Sequence, residues 1–339
     1  MTHDLDAQAL WLCGPRQLEW RAEEVSSPAA GEVLVQALCS GISAGTEMLV
    51  YRGEVPTDME LDLPTLAGSF SFPIKYGYAI VGRVLATGTD VSSVQPGDLV
   101  FALHPHQSIF CAPQDYVIGL PDTIEPAQGV FFANLETALN IVHDAAPRLG
   151  EIVVVFGQGV VGLLVTQLLH MVGVSTLIAV DPLARRRELA LRCHAHAALA
   201  PDTSLIDAIL RLSDQRRPDI VIEVSGRPEA LQAAIDLVAD EGSVIAASWY
   251  GTKMAQLQLG GRFHRGRIRL RSSQVGRLAP ELGPRWDRAR RTAMVQQLLS
   301  QVQLTALISH RLPFQQANQA YELLDTSLQD VCQIVLEYE

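Results

Sequence analysis

The stretch Val153-Val154-Val155-Phe156-Gly157-Gln158-Gly159-Val160-Val161-Gly162 constrains this chain more than any other. A run of β-branched residues reads as a buried strand. It breaks into Gly-x-Gly-x-x-Gly, and an apolar helical segment follows from Leu163 to Val172. Gly157 permits a tight turn, Gly159 lets backbone approach a pyrophosphate, and Gly162 lets the helix pack closely on the strand. The helix N-terminus then offers free N–H groups and the positive end of a dipole to phosphates, and Val160 and Val161 are counted with the three glycines as cofactor-binding positions. A second strand, Ser175 to Val180, ends in Asp181, at the spacing where a carboxylate meets the adenosine ribose. Strand, glycines, helix and acid in that order predict a dinucleotide-binding β-α-β unit.

Composition narrows the classes around that unit. A chain of 339 residues exceeds one ordinary core, so two domains are expected. Hydrophobic content of 48% and charged content of 19% suit a soluble globular enzyme. The net charge of −11, with no basic block, argues against a nucleic-acid surface. Cys13, Cys39, Cys111, Cys193 and Cys332 are scattered and form no Cys-x-x-Cys, which predicts free thiols in a reducing, cytoplasmic compartment. Met1-Thr2-His3-Asp4 has neither the basic start nor the apolar core of a secretory leader. Ile152 to Val174 is apolar, but Gly157, Gln158, Gly159 and His170 interrupt it, so strand-turn-helix is preferred to a membrane span.

Residues 1 to about 125 read as short strands with Gly and Pro turns, a pattern that predicts a small β-barrel-like domain. Gln8–Leu12 and Val33–Leu38 are strands, Cys39 to Glu47 is a small-residue loop entering a short helix, and Lys75 to Val84 passes from loop to strand. From Pro126 to about Gln274 strands alternate with helices: Ile152–Phe156, Thr176–Val180, Ile220–Val224 and Ser243–Ala247 are the strands, which predicts a parallel sheet with right-handed crossovers. A charged helix (Trp286 to about Leu299), an amphipathic helix (Phe314 to Leu324) and a last strand (Gln333 to Leu336) that rejoins the first domain complete the chain.

The order of Gly31-Glu32-Val33-Leu34-Val35, Gly97-Asp98-Leu99-Val100, the glycine fingerprint, Glu223-Val224-Ser225-Gly226, Glu241-Gly242-Ser243-Val244 and Leu307 to Phe314 resembles the medium-chain dehydrogenase/reductase superfamily, alcohol dehydrogenase-like, over nearly the whole chain. The resemblance implies an α/β fold: a Rossmann doubly wound parallel sheet plus a GroES-like β-barrel domain. The expected spans are 1–133 for the GroES-like catalytic domain, 134–275 for the Rossmann domain and 276–339 for the return to the first. Ser40 to Glu47 is similar to the branch containing the bacteriochlorophyllide hydroxyethyl dehydrogenases. The family also implies a homodimer and an active site at the carboxyl ends of the parallel strands.

Departures from the family pattern carry as much information. Where zinc members have a cysteine this chain has Ser43, where they have Gly-His-Glu it has Gly77-Tyr78-Ala79, and the third ligand position falls near Ala133-Asn134. The four-cysteine lobe that would follow Phe101 is missing as well. Neither catalytic nor structural zinc is expected. A different metal geometry from His104 and His106 with Cys111 or Glu136 is the alternative.

Without zinc, protein groups must stabilise the alkoxide and exchange its proton. By alignment to the family, Thr46 falls at a proton-relay hydroxyl, Tyr78 faces the pocket, and His104 lines it. His104 is the preferred acid/base, because an ordinary pKa of about 6.5 suits neutral-pH exchange; Tyr78 is the second choice, as donor to the carbonyl oxygen. A hydrogen-bonded turn histidine and a space-filling phenol are the plainer readings of the two. Glu47 and Glu136 read as structural partners of Lys75 or Arg83, or as catalytic carboxylates. Ser225 and Gly226 end the strand beside the nicotinamide half, and Arg186 packs near the adenosine. Asp181 favours NAD over NADP, since a carboxylate repels a 2′-phosphate. The basic stretch Phe263 to Arg271 reads as a strand with one polar face, or as arginines that meet an anionic substrate. Segments 49–72, 101–110 and 249–271 are expected to shape the substrate pocket.

The expected function is zinc-independent, NAD(P)-linked interconversion of a secondary alcohol and a ketone, on a small-molecule substrate, with no nucleic acid and no membrane. An NADPH-dependent quinone or enoyl reductase and a non-catalytic dinucleotide-binding sensor are the alternatives.

Overall fold

Ile152–Phe156, buried along its whole length, is the third of six strands in a parallel sheet. Across the sheet the order is Ala197–Leu199, Thr176–Val180, Ile152–Phe156, Ile220–Glu223, Ser243–Ala246 and Arg269–Ser272, all parallel. Numbered along the chain this is 3-2-1-4-5-6, the doubly wound dinucleotide-binding order, which reverses direction at Ile152–Phe156. The helices Val160–Val172, Ala184–Arg192, Leu205–Leu212 and Pro228–Leu237 make the connections. Strands covered on both faces bury every side chain, which is why Ile152 to Phe156 shows no polar alternation. Val154, Phe156, Ile178, Val221, Ile235 and Val244 belong to one apolar cluster of this core.

The computed structural model describes residues 4–61 and 68–339. The first residues, read above for a leader, and residues 62–67 of the expected pocket segment 49–72 lie outside the described residues. The chain forms two compact units, Met1–Ala133 with Leu304–Glu339, and Asn134–Gln303. The return was expected from 276, but 276–303 stays with the nucleotide-type unit. Helix Arg288–Leu298 explains this. Arg291 is only 3% exposed, and its guanidinium lies 2.9 Å from Glu136 and donates to Asn140 Oδ1 (3.1 Å) and the Val275 carbonyl (2.7 Å). A buried guanidinium cannot leave such acceptors cheaply.

The other unit is β-rich. One sheet runs Ile308–Pro313, Gln333–Glu337, Glu32–Ile42, Ile80–Thr87, Leu99–Ala102 and Val117–Gly119, with Ile109–Pro113 also paired to Glu32–Ile42. A second sheet holds Gln17–Val25, Leu5–Gly14 and Ile74–Lys75. Val33, Val35, Ile80, Val100, Phe110 and Ala112, all on strands of the larger sheet, belong to the apolar cluster of this unit. The last strand pairs antiparallel with residues 39–42 of Glu32–Ile42, so the chain end does rejoin this unit. Gln17–Val25, not anticipated from the sequence, alternates half-buried with exposed residues because it is an edge strand rich in charge.

Candidate active site

Backbone shape comes first at the end of Ile152–Phe156. Gly157 has φ +94°, and a Cβ there would lie 2.6 Å from the Ser225 Cα. A Cβ on Gly162 would lie 1.9 Å from the Gly157 carbonyl oxygen, so helix and turn touch through glycine alone. Gly159 caps helix Val160–Val172, and a Cβ on it would meet nothing nearer than Arg186 Nη1 at 4.0 Å. The first turn, with Val160 and Val161, therefore keeps open backbone beside its N–H groups, the feature a pyrophosphate needs.

Asp181 sits at the carboxyl end of Thr176–Val180 and is 2% exposed. Its carboxylate accepts the Gln158 N–H (2.7 Å) and the Leu183 N–H (2.9 Å), and Arg186 Nη1 lies 3.9 Å away. The acid thus shapes the glycine loop while Arg186 leans on it; Arg187 is turned back to the carbonyls of Asp181 and Pro182. Two residues that were given no role from sequence brace this end. Gln158 is fully buried, and its side chain bonds the Val155 carbonyl and Thr166. Glu223, also fully buried, accepts from the backbone and hydroxyl of Ser225 at 2.7 and 2.6 Å and from the Tyr250 hydroxyl. Gly226 donates its N–H to Ser248 Oγ at 2.8 Å. The signal for Glu223 was present as an acid closing an otherwise apolar strand.

The β-rich unit holds a second polar group. Helix Thr46–Arg52 follows strand Glu32–Ile42, and the Tyr78 hydroxyl is hydrogen-bonded to Ser43 and Thr46. Burial pushes the Tyr78 phenol up to about 12, against those two hydrogen bonds, so it stays protonated at neutral pH. Behind this trio lies a buried chain. Glu47 accepts the Ser43 N–H (3.1 Å) and the Tyr321 hydroxyl, His106 Nε2 is 2.8 Å from Glu47, His106 Nδ1 is 2.7 Å from Ser40 Oγ, and Ser40 Oγ is 2.9 Å from the Tyr338 hydroxyl. Serine, histidine and glutamate in this contact have the composition of a hydrolytic triad, but all three are fully buried, so no substrate reaches them.

His104 is placed differently from its expected role. It is 8% exposed, stacks on Phe110 with ring centroids 3.9 Å apart, and its Nδ1 lies 2.9 Å from the Pro105 carbonyl. Burial pushes its pKa down to about 3, although the Pro105 contact works the other way. The ordinary imidazole value that recommended it as acid/base is lost, and His104 is neutral at pH 7. Glu47 and Glu136 do not meet Lys75 or Arg83 either. Lys75 pairs with Glu23 at 2.7 Å, Arg83 donates to the Gly97 carbonyl, and Glu136 pairs with Arg291. In the basic stretch, Arg262 pairs with Asp240, Arg267 with Glu241, and Arg271 with Asp144 and Glu281, which favours the structural reading of those arginines.

The sequence profile of the family described as zinc-binding dehydrogenase matches residues 160–290. The D-guloside 3-dehydrogenase of Escherichia coli (strain K12) is 28% identical over 278 residues, 77% of this chain and 79% of that protein. The 2-desacetyl-2-hydroxyethyl bacteriochlorophyllide A dehydrogenase of Cereibacter sphaeroides is 26% identical over 331 residues, 92% of each chain. Among solved structures, an E. coli CFT073 short chain alcohol dehydrogenase complexed with NADH superposes with a TM-score of 0.82 at 19% identity, covering 98% of this chain and 99% of that one. These matches support the resemblance to the medium-chain dehydrogenase/reductase superfamily, alcohol dehydrogenase-like.

The superfamily implies a nicotinamide dinucleotide, and the open backbone at Gly159 with the carboxylate of Asp181 fits one. Many members hold zinc, and here the donor set does not fit it. Ser43 and Tyr78, which the family resemblance sets at two ligand positions, bond each other, and a phenol pushed up to about 12 is a poor metal ligand. The alternative set does not converge. His106 is committed to Glu47 and Ser40, His104 to Pro105, and the Cys111 thiol to the Ser26 carbonyl, while burial pushes that thiol up to about 11. Among the described residues no group of three or more His, Cys, Asp or Glu side chains is arranged to hold a metal ion.

Proposed function

We propose that this chain is a nicotinamide-dependent dehydrogenase that interconverts a secondary alcohol and a ketone without zinc. The observation that carries the reading is the 3-2-1-4-5-6 parallel sheet whose first strand opens into the glycine turn braced by Asp181. The kinship with alcohol-oxidising relatives supports the reaction class. When bound, the nicotinamide gives or takes the hydride. The first turn after Gly159 holds the pyrophosphate, and Asp181 and Arg186 face the adenosine ribose, with NAD preferred because the carboxylate disfavours a 2′-phosphate.

Tyr78 has the central chemical role in the proposal. Its phenol, backed by Ser43 and Thr46, donates a hydrogen bond to the substrate oxygen and releases its proton as ketone becomes alcohol. Protonated near neutral pH, the phenol is in the state that donation to a ketone oxygen requires. His104, neutral, contributes shape and a hydrogen bond, not charge. We place the enzyme in the cytoplasm, in keeping with five free cysteines. No helix among the described residues is long and apolar enough to cross a membrane. A homodimer is part of the proposal: among the described residues Arg269–Ser272 is the last strand of its sheet, which leaves an edge where a second copy could pair.

The test is turnover of secondary alcohols and ketones with NAD(H) and NADP(H), before and after exhaustive dialysis against a chelator. Unchanged turnover after chelation, with NADH preferred, supports the proposal. Activity lost on chelation and restored by zinc would overturn the metal-free part, and NADPH-driven reduction of conjugated double bonds alone would overturn the reaction class.

A further inference from the structure

Glu223 ends strand Ile220–Glu223 and is fully buried, yet it accepts three donors from two different loops. Its Oε1 takes the N–H and hydroxyl of Ser225, and its Oε2 takes the hydroxyl of Tyr250. Two more bonds join the same loops: Gly226 N–H to Ser248 Oγ at 2.8 Å, and Lys253 Nζ to the Gly226 carbonyl at 3.3 Å. Both loops leave the carboxyl ends of Ile220–Glu223 and Ser243–Ala246, neighbouring strands on the side of Ile152–Phe156 opposite to Thr176–Val180. A sheet of this order is built of two mononucleotide-binding halves; Asp181 belongs to the adenosine half, and these two strands carry the other.

We infer that Tyr250 is a positioning residue for the nicotinamide end of the dinucleotide, tying the loop 248–253 to Ser225 and Gly226 through the Glu223 carboxylate. The inference rests on the nicotinamide reading proposed above. A carboxylate shielded from water and bonded to three donors is a strong organiser, since charge-assisted bonds gain most where the dielectric is low. It sets both loops before the cofactor arrives, so binding does not have to order them. Loss of the Tyr250 hydroxyl removes the only one of these ties that reaches the buried carboxylate from the loop 248–253 and loosens that loop, and only the half of the ligand that meets it is affected.

The experiment compares NADH with ADP-ribose, which has the adenosine half and the pyrophosphate but no nicotinamide. Calorimetric titration of the full chain, Tyr250→Phe and Ser248→Ala gives both affinities, and the emission of bound NADH reports the nicotinamide environment. Tyr250→Phe is expected to weaken NADH by about tenfold while ADP-ribose stays within about twofold, with altered NADH emission. Ser248→Ala, which removes a neutral partner, shifts the same ratio by less. Equal losses for both ligands, or an unchanged NADH to ADP-ribose ratio in both variants, would overturn the inference while leaving the cofactor reading intact. Wild-type protein that binds ADP-ribose but gains nothing from the nicotinamide would overturn both.

Discussion

Tyr78 and His104 show how burial reassigns chemistry that residue type alone suggests. Tyr78→Phe removes the one phenol placed against Ser43 and Thr46, and the expected loss in kcat is on the order of 10²- to 10³-fold with little change in KM, as for other single donors to a developing oxyanion. Steady-state kinetics in the reducing direction decide it, and a kcat within about threefold of wild type would remove Tyr78 from the mechanism. His104 yields a stability prediction. Its folded pKa, lowered to about 3, lies below the unfolded value of about 6.5, so the unfolded chain takes up the proton first as pH falls. The stabilisation it gives is full above about pH 6.5 and is lost progressively towards pH 3. His104→Gln should therefore show a shallower fall of the urea midpoint between pH 7 and pH 4 than wild type does; parallel falls would contradict the burial argument. Tyr78 works at the alkaline end, where stability falls as pH rises from about 10, the unfolded value, through about 12.

The glycine turn is the element where sequence and geometry agree most closely. The order β-branched run, Gly157, Gly159, Gly162 and Asp181 was legible because each step answers a local requirement: a positive φ, an open backbone, a close crossing. Gly162→Ala puts a methyl 1.9 Å from the Gly157 carbonyl, so turn and helix must separate. The expected result is loss of NADH binding by titration together with a lower unfolding midpoint, since overpacking of this kind costs about 1–3 kcal/mol or more. Full retention of NADH affinity would show that the turn does not hold the pyrophosphate. The charged helix near the C-terminus was legible as a helix but not in its allegiance. Arg291, one arginine among several in Arg288–Leu298, turns inward to Glu136 and Asn140, and no periodicity marks which arginine does so.

For the whole molecule, ligand linkage supplies the broadest test. A dinucleotide that binds only the folded chain raises its stability by about 2.7 kcal/mol at a concentration of 100 times Kd. NADH should raise the unfolding midpoint more than NADPH at equal concentration, and the reverse order would assign NADP as the cofactor. The α/β class, the parallel sheet and the glycine turn with its acid were all readable from the amino-acid order. Each depends on residues close in sequence, or on side-chain chemistry that no fold alters. The pairing of Glu47 with His106, the tie between Glu223 and Tyr250, and the neutral state of His104 were not readable. They join residues 59 and 27 positions apart, or depend on the exclusion of water around a ring, and local pattern carries no information about either. Desolvation and long-range hydrogen bonding come into being only when the strands close over these groups, and it is there that the chain selects which of its histidines, carboxylates and phenols remain free to act.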